Sequence, residues 1–285
     1  MSPKPPTSRT ASGTSSQKAH SRNANAGIAN RVPRAVAALA RSDPAGWVIA
    51  PHHHLRDQLI YAIEGVMTIR ANGSIWTIPP SHGMWMPAHM EHAIRMDVAV
   101  EMRTLYFQPG VLRGRANTCC VLAITPLLRE LVLRAMTITP HYDPDSAEGR
   151  MMQVLMDEVG VLAQQPLSLK LPTDKRLLKL CEALLADVSS GASIAELGES
   201  VGLSERSVIR LFPKETGLSL LRWRQQARLM RAFALAEQGM TMTQIALELG
   251  YGSASAFSKM FRKLFGQAPR SFFRASQLGA RSTPP

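Results

Sequence analysis

The chain has 285 residues, 45% of them apolar, which is enough for about two folded units. Lys and Arg outnumber Asp and Glu by 33 to 21, giving a formal charge of +12, and no run approaches the ~18–20 uncharged apolar residues of a membrane span. Three cysteines, Cys119, Cys120 and Cys181, form neither a disulfide framework nor a zinc spacing.

The first 31 residues are Ser, Thr, Pro, Asn, Ala and basic residues with no apolar period, and they read as a disordered basic tail. They lack the apolar centre of a secretory signal, so a cytoplasmic protein is expected, although their composition also suits a transit peptide. The charge is uneven: +6 over residues 1–45, −1 over 46–172 and +7 over 173–285. A neutral middle joined to a basic end points to a polyanion partner at that end.

From about residue 45 the texture is β. Short apolar runs appear at Val48–Pro51, Gln58–Ile63, Val66–Ala71, Ile75–Pro79, Met84–Met86, His92–Met96 and Glu101–Phe107. Asn72-Gly73 between two of them is a strong hairpin signal. Regular short strands of this kind predict an antiparallel sandwich or barrel over 32–115. His52, His54 and Gln58 share strand parity and should face one way, with His53 and Asp57 facing the other. Imidazoles at that spacing suit a divalent transition metal, or they simply line a polar pocket. Trp76 and Trp85 are candidates to line the same pocket, with barrel core as the plainer reading.

Between 116 and 172 the period becomes helical. Thr125 caps a helix that has Pro126 in its first turn. A second helix from Ser146 places Met151, Leu155, Val159 and Leu162 at helical spacing. That stripe has no evident partner within a barrel, so it is expected to pair with its copy in a homodimer. Pro166–Pro172 reads as a linker.

Residues 173–278 carry two similar units. Ser193 and Glu196 make a capping box, Gly202 supplies a tight turn, and Ser204 caps a helix over Glu205–Phe212 that Pro213 should end early. The order recurs around Ile245, Ala246, Gly250 and Ser253, before a helix over Ala254–Phe265. Helix, glycine turn and second helix is the arrangement that seats a reading helix in the DNA major groove. A helix starting near Ser219 lies between the units. Its roughly 18 residues span about 27 Å, which suits two heads about one DNA turn, roughly 34 Å, apart. Arg224, Arg228 and Arg231 form a basic stripe on it, either solvated or placed for phosphate contact.

Residues 193–273 resemble the tandem helix-turn-helix domain of the AraC/XylS transcription regulators. The resemblance is carried by Ile245-Ala246 through Gly250-Tyr251, by Phe257-Ser258, Phe261-Arg262-Lys263 and Phe265-Gly266, and by Pro269. It implies that exposed positions early in each reading helix touch DNA: Ser204, Arg206, Ser207, Ile209 and Arg210 in the first unit, Ser253, Ala254, Ser255, Ser258 and Lys259 in the second. Arg206 and Arg210 have the chemistry for guanine readout. The short side chains of the second unit carry less, so most specificity is assigned to the first. Arg224 and Arg228 are counted as backbone contacts.

The β region is similar to the two cupin motifs: Gly46, His52, His54, Gln58 and Gly65 at the first, then Gly83, Pro87 and His92. Gln58 stands where many cupins have a metal-binding Glu. The resemblance implies a cupin-like antiparallel β-barrel that senses an effector through His52, His54, Gln58 and His92, with no cofactor required and a divalent metal as an option. The expected molecule is a non-enzymatic, ligand-responsive regulator of double-stranded DNA with an unknown effector, recruiting RNA polymerase if it activates and touching no membrane. A cupin enzyme with a DNA-binding accessory, and a ligand-blind repressor, are the rivals; the missing Glu at position 58 argues against the first.

Overall fold

The computed structural model describes residues 27, 31–80, 82–112, 115, 117–165 and 167–273. The tail expected over residues 1–31 falls outside them except at residues 27 and 31, and a short tail expected over residues 279–285 falls outside them entirely. Nine strands come first: β1 Val36–Asp43, β2 Val48–His52, β3 Asp57–Glu64, β4 Met67–Ala71, β5 Ser74–Ile78, β6 His82–Met86, β7 His92–Met96, β8 Val100–Phe107 and β9 Cys120–Ala123. Helices α1 Pro126–Ala135 and α2 Ala147–Val161 follow, then the short strands β10 Gln164–Gln165 and β11 Ser168–Lys170. The remaining elements are helical: α3 Lys175–Ala186, α4 Ile194–Glu199, α5 Glu205–Thr216, α6 Leu220–Glu237, α7 Met242–Glu248 and α8 Ala254–Phe265.

The strands form two antiparallel sheets, ordered β1-β8-β3-β6-β9-β10 and β11-β5-β4-β7-β2. The hydrogen bonds of the described residues leave these as two sheets rather than one closed ring, so the expected barrel is an open sandwich. Alternation along each strand sorts its side chains between faces. Ile60, Met67, Ile69, Met84, Ile94 and Met96 fill the space between the sheets. Leu59, Tyr61, Trp85, Leu105 and Phe107 point the other way, toward α1 and α2. The Asn72-Gly73 turn has positive φ at both residues, 46° and 64°, as a two-residue hairpin turn of this hand requires.

Several expectations change here. Residues 36–43 form a strand paired along its length with β8, although their small residues gave no strand signal. The 116–172 region is not a separate helical unit, because β9 joins β6 in the first sheet and β11 joins β5 in the second. The expected linker is therefore partly a strand; Leu167 and Leu169 within it are fully buried.

The stripe on α2 has its partner in its own chain. Met152, Leu155, Val159 and Leu162 are buried against α1 and the outer face of the first sheet, while Met151 is only half-buried. The copy-to-copy contact expected there is overturned, since a surface already covered is not available to a second chain. The exposed large apolar residues of α2 are Val154 and Val161, off that stripe.

Pro213 does not end α5. The helix runs to Thr216 and closes on Gly217 in the left-handed region, with φ 77°. Proline gives up one donor and crowds the carbonyl of Ile209 four residues back, yet the helix continues for three residues past it. Its ring is exposed, and its own carbonyl accepts from Gly217 N at 2.9 Å.

The last helices complete both cores. Leu220, Trp223, Ala227 and Met230 of α6 pack with α3, α4 and α5. Leu229, Phe233 and Leu235 pack with α7, α8 and Phe272, in a cluster continuous with the sandwich interior.

Leu155→Ala tests the intrachain role of α2. Deleting a fully buried leucine should cost about 2–5 kcal/mol, read as a lower denaturation midpoint at unchanged association state. A variant as stable as the parent but with a smaller mass in light scattering would restore the dimer stripe.

Candidate functional site

Two constellations stand out, one in each half. In the C-terminal half the caps expected at Ser193, Ser204 and Ser253 are in place, and Asp174, Ser219 and Thr241 cap the other three helices. The Ser204 hydroxyl accepts from Ser207 N at 3.2 Å, and the Ser253 hydroxyl accepts from Ala256 N at 3.2 Å. These two serines are therefore structural caps, whatever else they touch. Gly202 and Gly250 turn the chain with φ of 70° and 74°. A Cβ on Gly250 would lie 2.5 Å from the Ser189 carbonyl oxygen, so the turn of the second unit presses on the α3–α4 loop of the first.

On α5, Val208 and Phe212 are buried, whereas Arg206, Ile209 and Arg210 are exposed and Ser207 is half-buried. Ile209 is 56% exposed, unusual for a branched apolar side chain. On α8, Phe257 and Phe261 are buried, Ser255 and Lys259 are exposed, and Ala254 and Ser258 are half-buried. These α8 positions line a groove of about 790 Å³ that also takes in Thr243, Arg262, Lys263 and Arg270. The last three were not among the expected DNA-contacting residues. Their signal was the run of basic residues in the final turn of α8 and just after it.

Arg224 and Arg228 behave differently from a free basic face. Arg224 Nη1 donates to the Ala192 carbonyl at 2.8 Å, and its Nη2 donates to Ser190 O. Arg228 Nε donates to Val188 O at 2.8 Å, and Nη2 reaches Ser189 O at 3.3 Å and Ser190 O at 3.1 Å. Its guanidinium also lies 5.4 Å from the centre of the Tyr251 ring. Together they hold the α3–α4 loop against α6. Arg231, the third member of the stripe, is exposed and makes none of these contacts.

The second constellation is at one end of the sandwich. His52 closes β2, His92 opens β7, and the two are register partners. His54 follows in the next turn of chain. Ring centres lie 4.2 Å apart for His52 and His92, 4.8 Å for His52 and His54, and 5.4 Å for His54 and His92. One nitrogen from each lies within 4.8 Å of the others. His52 Nδ1 sits 2.9 Å from Ala50 O, and His92 Nδ1 sits 3.0 Å from Met90 O. A carbonyl on Nδ1 fixes the proton there and leaves Nε2 with its lone pair free.

Burial pushes His54 down to about 3 and His92 down to about 4, with the neighbouring histidines adding to both; His52 is lowered too, again chiefly by burial. All three are therefore neutral imidazoles near pH 7. His54 Nδ1 and Nε2, His92 Nε2 and Gln58 Oε1 are buried without a protein partner among the described residues. Buried polar atoms are normally satisfied, so four such orphans at neighbouring positions call for a ligand or water. Gln58 adjoins the cluster through Tyr106, its register partner on β8, which stands edge-on to His54 at 5.1 Å.

Three neutral imidazoles, two of them oriented by backbone carbonyls, fit the donor set of a borderline metal ion. Ligand nitrogens about 2.0–2.1 Å from a zinc-like ion lie within about 4.2 Å of one another, so small side-chain rotations would complete the set. The expected tryptophans do not share this place. Trp76 points into the sandwich, but Trp85 points out toward Phe107 and the helices. Their strands put them on opposite sides of a sheet, and one pocket cannot hold both.

A family model described as an AraC-like ligand binding domain matches residues 35–206, and one described as a helix-turn-helix domain matches residues 197–275. The HTH-type transcriptional regulator NimR of Escherichia coli is 33% identical over 235 residues, 82% of this chain and 86% of that protein. The arabinose operon regulatory protein of the same species is 31% identical over 109 residues, 37% of each. The solved structure of ToxT from Vibrio cholerae is a distant likeness, with TM-score 0.36 and 10% identity over 85% of this chain and 98% of that one.

Arg228→Ala separates a structural guanidinium from a phosphate contact. Losing its charge-assisted bonds should destabilise the fold by about 1.5–3 kcal/mol. The slope of log affinity for DNA against log salt should stay as it was. A slope reduced by about one at unchanged stability would return Arg228 to the DNA surface.

Proposed function

The chain belongs to the AraC family of transcription regulators, with a helix-turn-helix DNA-binding half and a ligand-binding half, and from this we propose how each half is used. Helix α5 reads the major groove through Arg206 and Arg210, with Ser207 and Ile209 at the base edges. Helix α8 enters a neighbouring groove through Ala254, Ser255, Ser258 and Lys259, while Arg262, Lys263 and Arg270 meet phosphates. The observation that supports this most is the pair of reading helices with exposed outer faces, both anchored on the 18-residue α6. At 1.5 Å per residue α6 is about 27 Å long, and successive major-groove faces on one side of DNA are roughly 34 Å apart.

Arginine is the side chain suited to bidentate contact with guanine, and each such pair is worth about 1–3 kcal/mol of discrimination. Arg210→Ala should therefore weaken binding to the operator by that amount and relax the preference at one base position. The measurement is a competition series against all single-base operator variants. Uniform weakening on every sequence would demote Arg210 to a phosphate contact.

The sensor is assigned to the cluster of His52, His54 and His92, with Gln58 behind it. Its orphaned nitrogens accept from an effector, or they hold a divalent metal. Such an ion, when bound, supplies a Lewis-acidic anchor for an oxygen or nitrogen of the effector. The protein's own part is to keep the imidazoles neutral and aimed at one point.

Zinc and nickel titrations of the full chain test this. The His52→Ala/His54→Ala double variant should lose metal binding and keep its affinity for operator DNA in the absence of added ligand. Protonated imidazole cannot ligate. Because burial lowers the proton affinities of His52, His54 and His92, metal affinity should persist to lower pH than at ordinary histidines. Equal metal binding by parent and double variant, or a midpoint of loss at the ordinary histidine value, overturns the assignment.

A further inference from the structure

Outside the sandwich interior, the outer face of the second sheet meets helices α3 and α6 across a cleft of about 290 Å³. Small-molecule sites start at roughly this size. Alternation puts Thr68 and Arg70 of β4, Ile75 and Thr77 of β5 and Arg95 of β7 on this outer face, opposite in sense to Met67, Ile69 and Trp76. The facing wall belongs to the DNA-binding half, with Ala227, Met230, Arg231 and Ala234 from α6.

The charges in the cleft do not cancel. Three guanidiniums, those of Arg70, Arg95 and Arg231, face two carboxylates, those of Asp97 and Glu182. Arg95 is already paired with Asp97 at 2.9 Å, and Asp97 also accepts from the Thr68 hydroxyl. Arg70 and Arg231, from opposite walls, have no hydrogen bond or ion pair among the described residues. Glu182 is not within ion-pair distance of either. The same cleft has an apolar lining: Ile75 and Met230 are buried, and Leu185 is half-buried.

We propose that this cleft binds a small organic acid, its carboxylate shared by Arg70 and Arg231 and its apolar body on Ile75 and Met230. Guanidinium forks are matched to carboxylates in geometry and charge. An inorganic anion satisfies the two cations but leaves the apolar lining uncovered. The site is separate from the histidine cluster, which lies at the end of the sandwich interior. It is also placed to be felt by DNA: a ligand held by β4 and α6 ties the sensor sheet to the helix that carries both reading heads. Any difference in its affinity between DNA-bound and free protein must appear equally as a difference in DNA affinity.

Isothermal titration of the full chain with cyclohexanecarboxylate, and with neutral cyclohexanecarboxamide of nearly the same shape, tests the proposal. Inorganic phosphate serves as the third probe. The acid should bind saturably in the millimolar range or better, and the amide and phosphate at least about tenfold more weakly, as loss of a charge-assisted bond or of the apolar contact demands. Arg70→Gln and Arg231→Gln, both at exposed positions, should each weaken the acid by a similar factor while ligand-free operator affinity of Arg70→Gln stays at the parent value. The His52→Ala/His54→Ala variant should bind the acid as the parent does, so failure of the histidine assignment leaves this proposal standing. No saturable binding, equal binding of acid and amide, tightest binding of phosphate, or acid binding untouched by both arginine substitutions would each overturn it.

Discussion

Helix α6 is the constraint on which the rest of the C-terminal half depends. Its 18 residues are buried from more than one side: Trp223 and Ala227 belong to the core of the first helix-turn-helix unit, while Phe233 and Leu235 belong to that of the second. A helix that serves as core for both units at once fixes their separation and relative rotation. Close-packed interiors move between discrete arrangements and do not flex smoothly, so the two reading helices are set by the geometry of one rod. Arg224 and Arg228 reinforce this by holding the α3–α4 loop to the same rod. Gly250 brings the second turn against that loop where no side chain fits.

The same helix is tied to the sensor. Trp223 Nε1 donates to Lys170 O at 3.0 Å, and Gln226 Nε2 donates to Ser168 O at 2.7 Å. Ser168–Lys170 is strand β11, which pairs with β5 at the edge of the second sheet. At the other end His82 of β6 stacks on Phe272 with ring centres 5.7 Å apart. The two halves thus share hydrogen-bonded backbone and a continuous apolar cluster, in place of a free linker. Coupling between two sites needs contacts that differ between two states.

In the sensor half the organising fact is strand alternation. It sends Gln58, Ile60 and Met84 inward and Leu59, Tyr61 and Trp85 outward. With both faces of the first sheet covered, both sets are apolar, and hydropathy alone does not say which side is which. The histidines escape that ambiguity. Polar groups are buried only where something satisfies them, so three imidazoles and an amide gathered at one end of an apolar sandwich mark a site.

What the sequence determined by itself was local. Caps at Thr125, Ser146, Ser193, Ser204, Ser219 and Ser253, glycine turns at Gly202 and Gly250, and the Asn72-Gly73 hairpin are all written in neighbouring residues, because a cap or a left-handed turn is satisfied within a few positions. Shared strand parity, by contrast, is not what groups His52, His54 and Gln58: His52 ends β2, His54 lies in the connection after it and Gln58 is on β3. Only tertiary structure decided the rest. It gave the α2 stripe an intrachain partner, since an apolar stripe says that it will be covered but not by what. It turned residues 168–170 into an edge strand and 36–43 into a paired one, because a strand's partner lies far away in sequence. It set His92, which the motif resemblance had already grouped with His52, directly across the ladder from it, separated Trp76 from Trp85 by a sheet, and carried α5 past Pro213. It also drew Arg224 and Arg228 inward to loop carbonyls while leaving Arg231 exposed in the cleft that Arg70 also lines, a choice made by packing among side chains of identical chemistry.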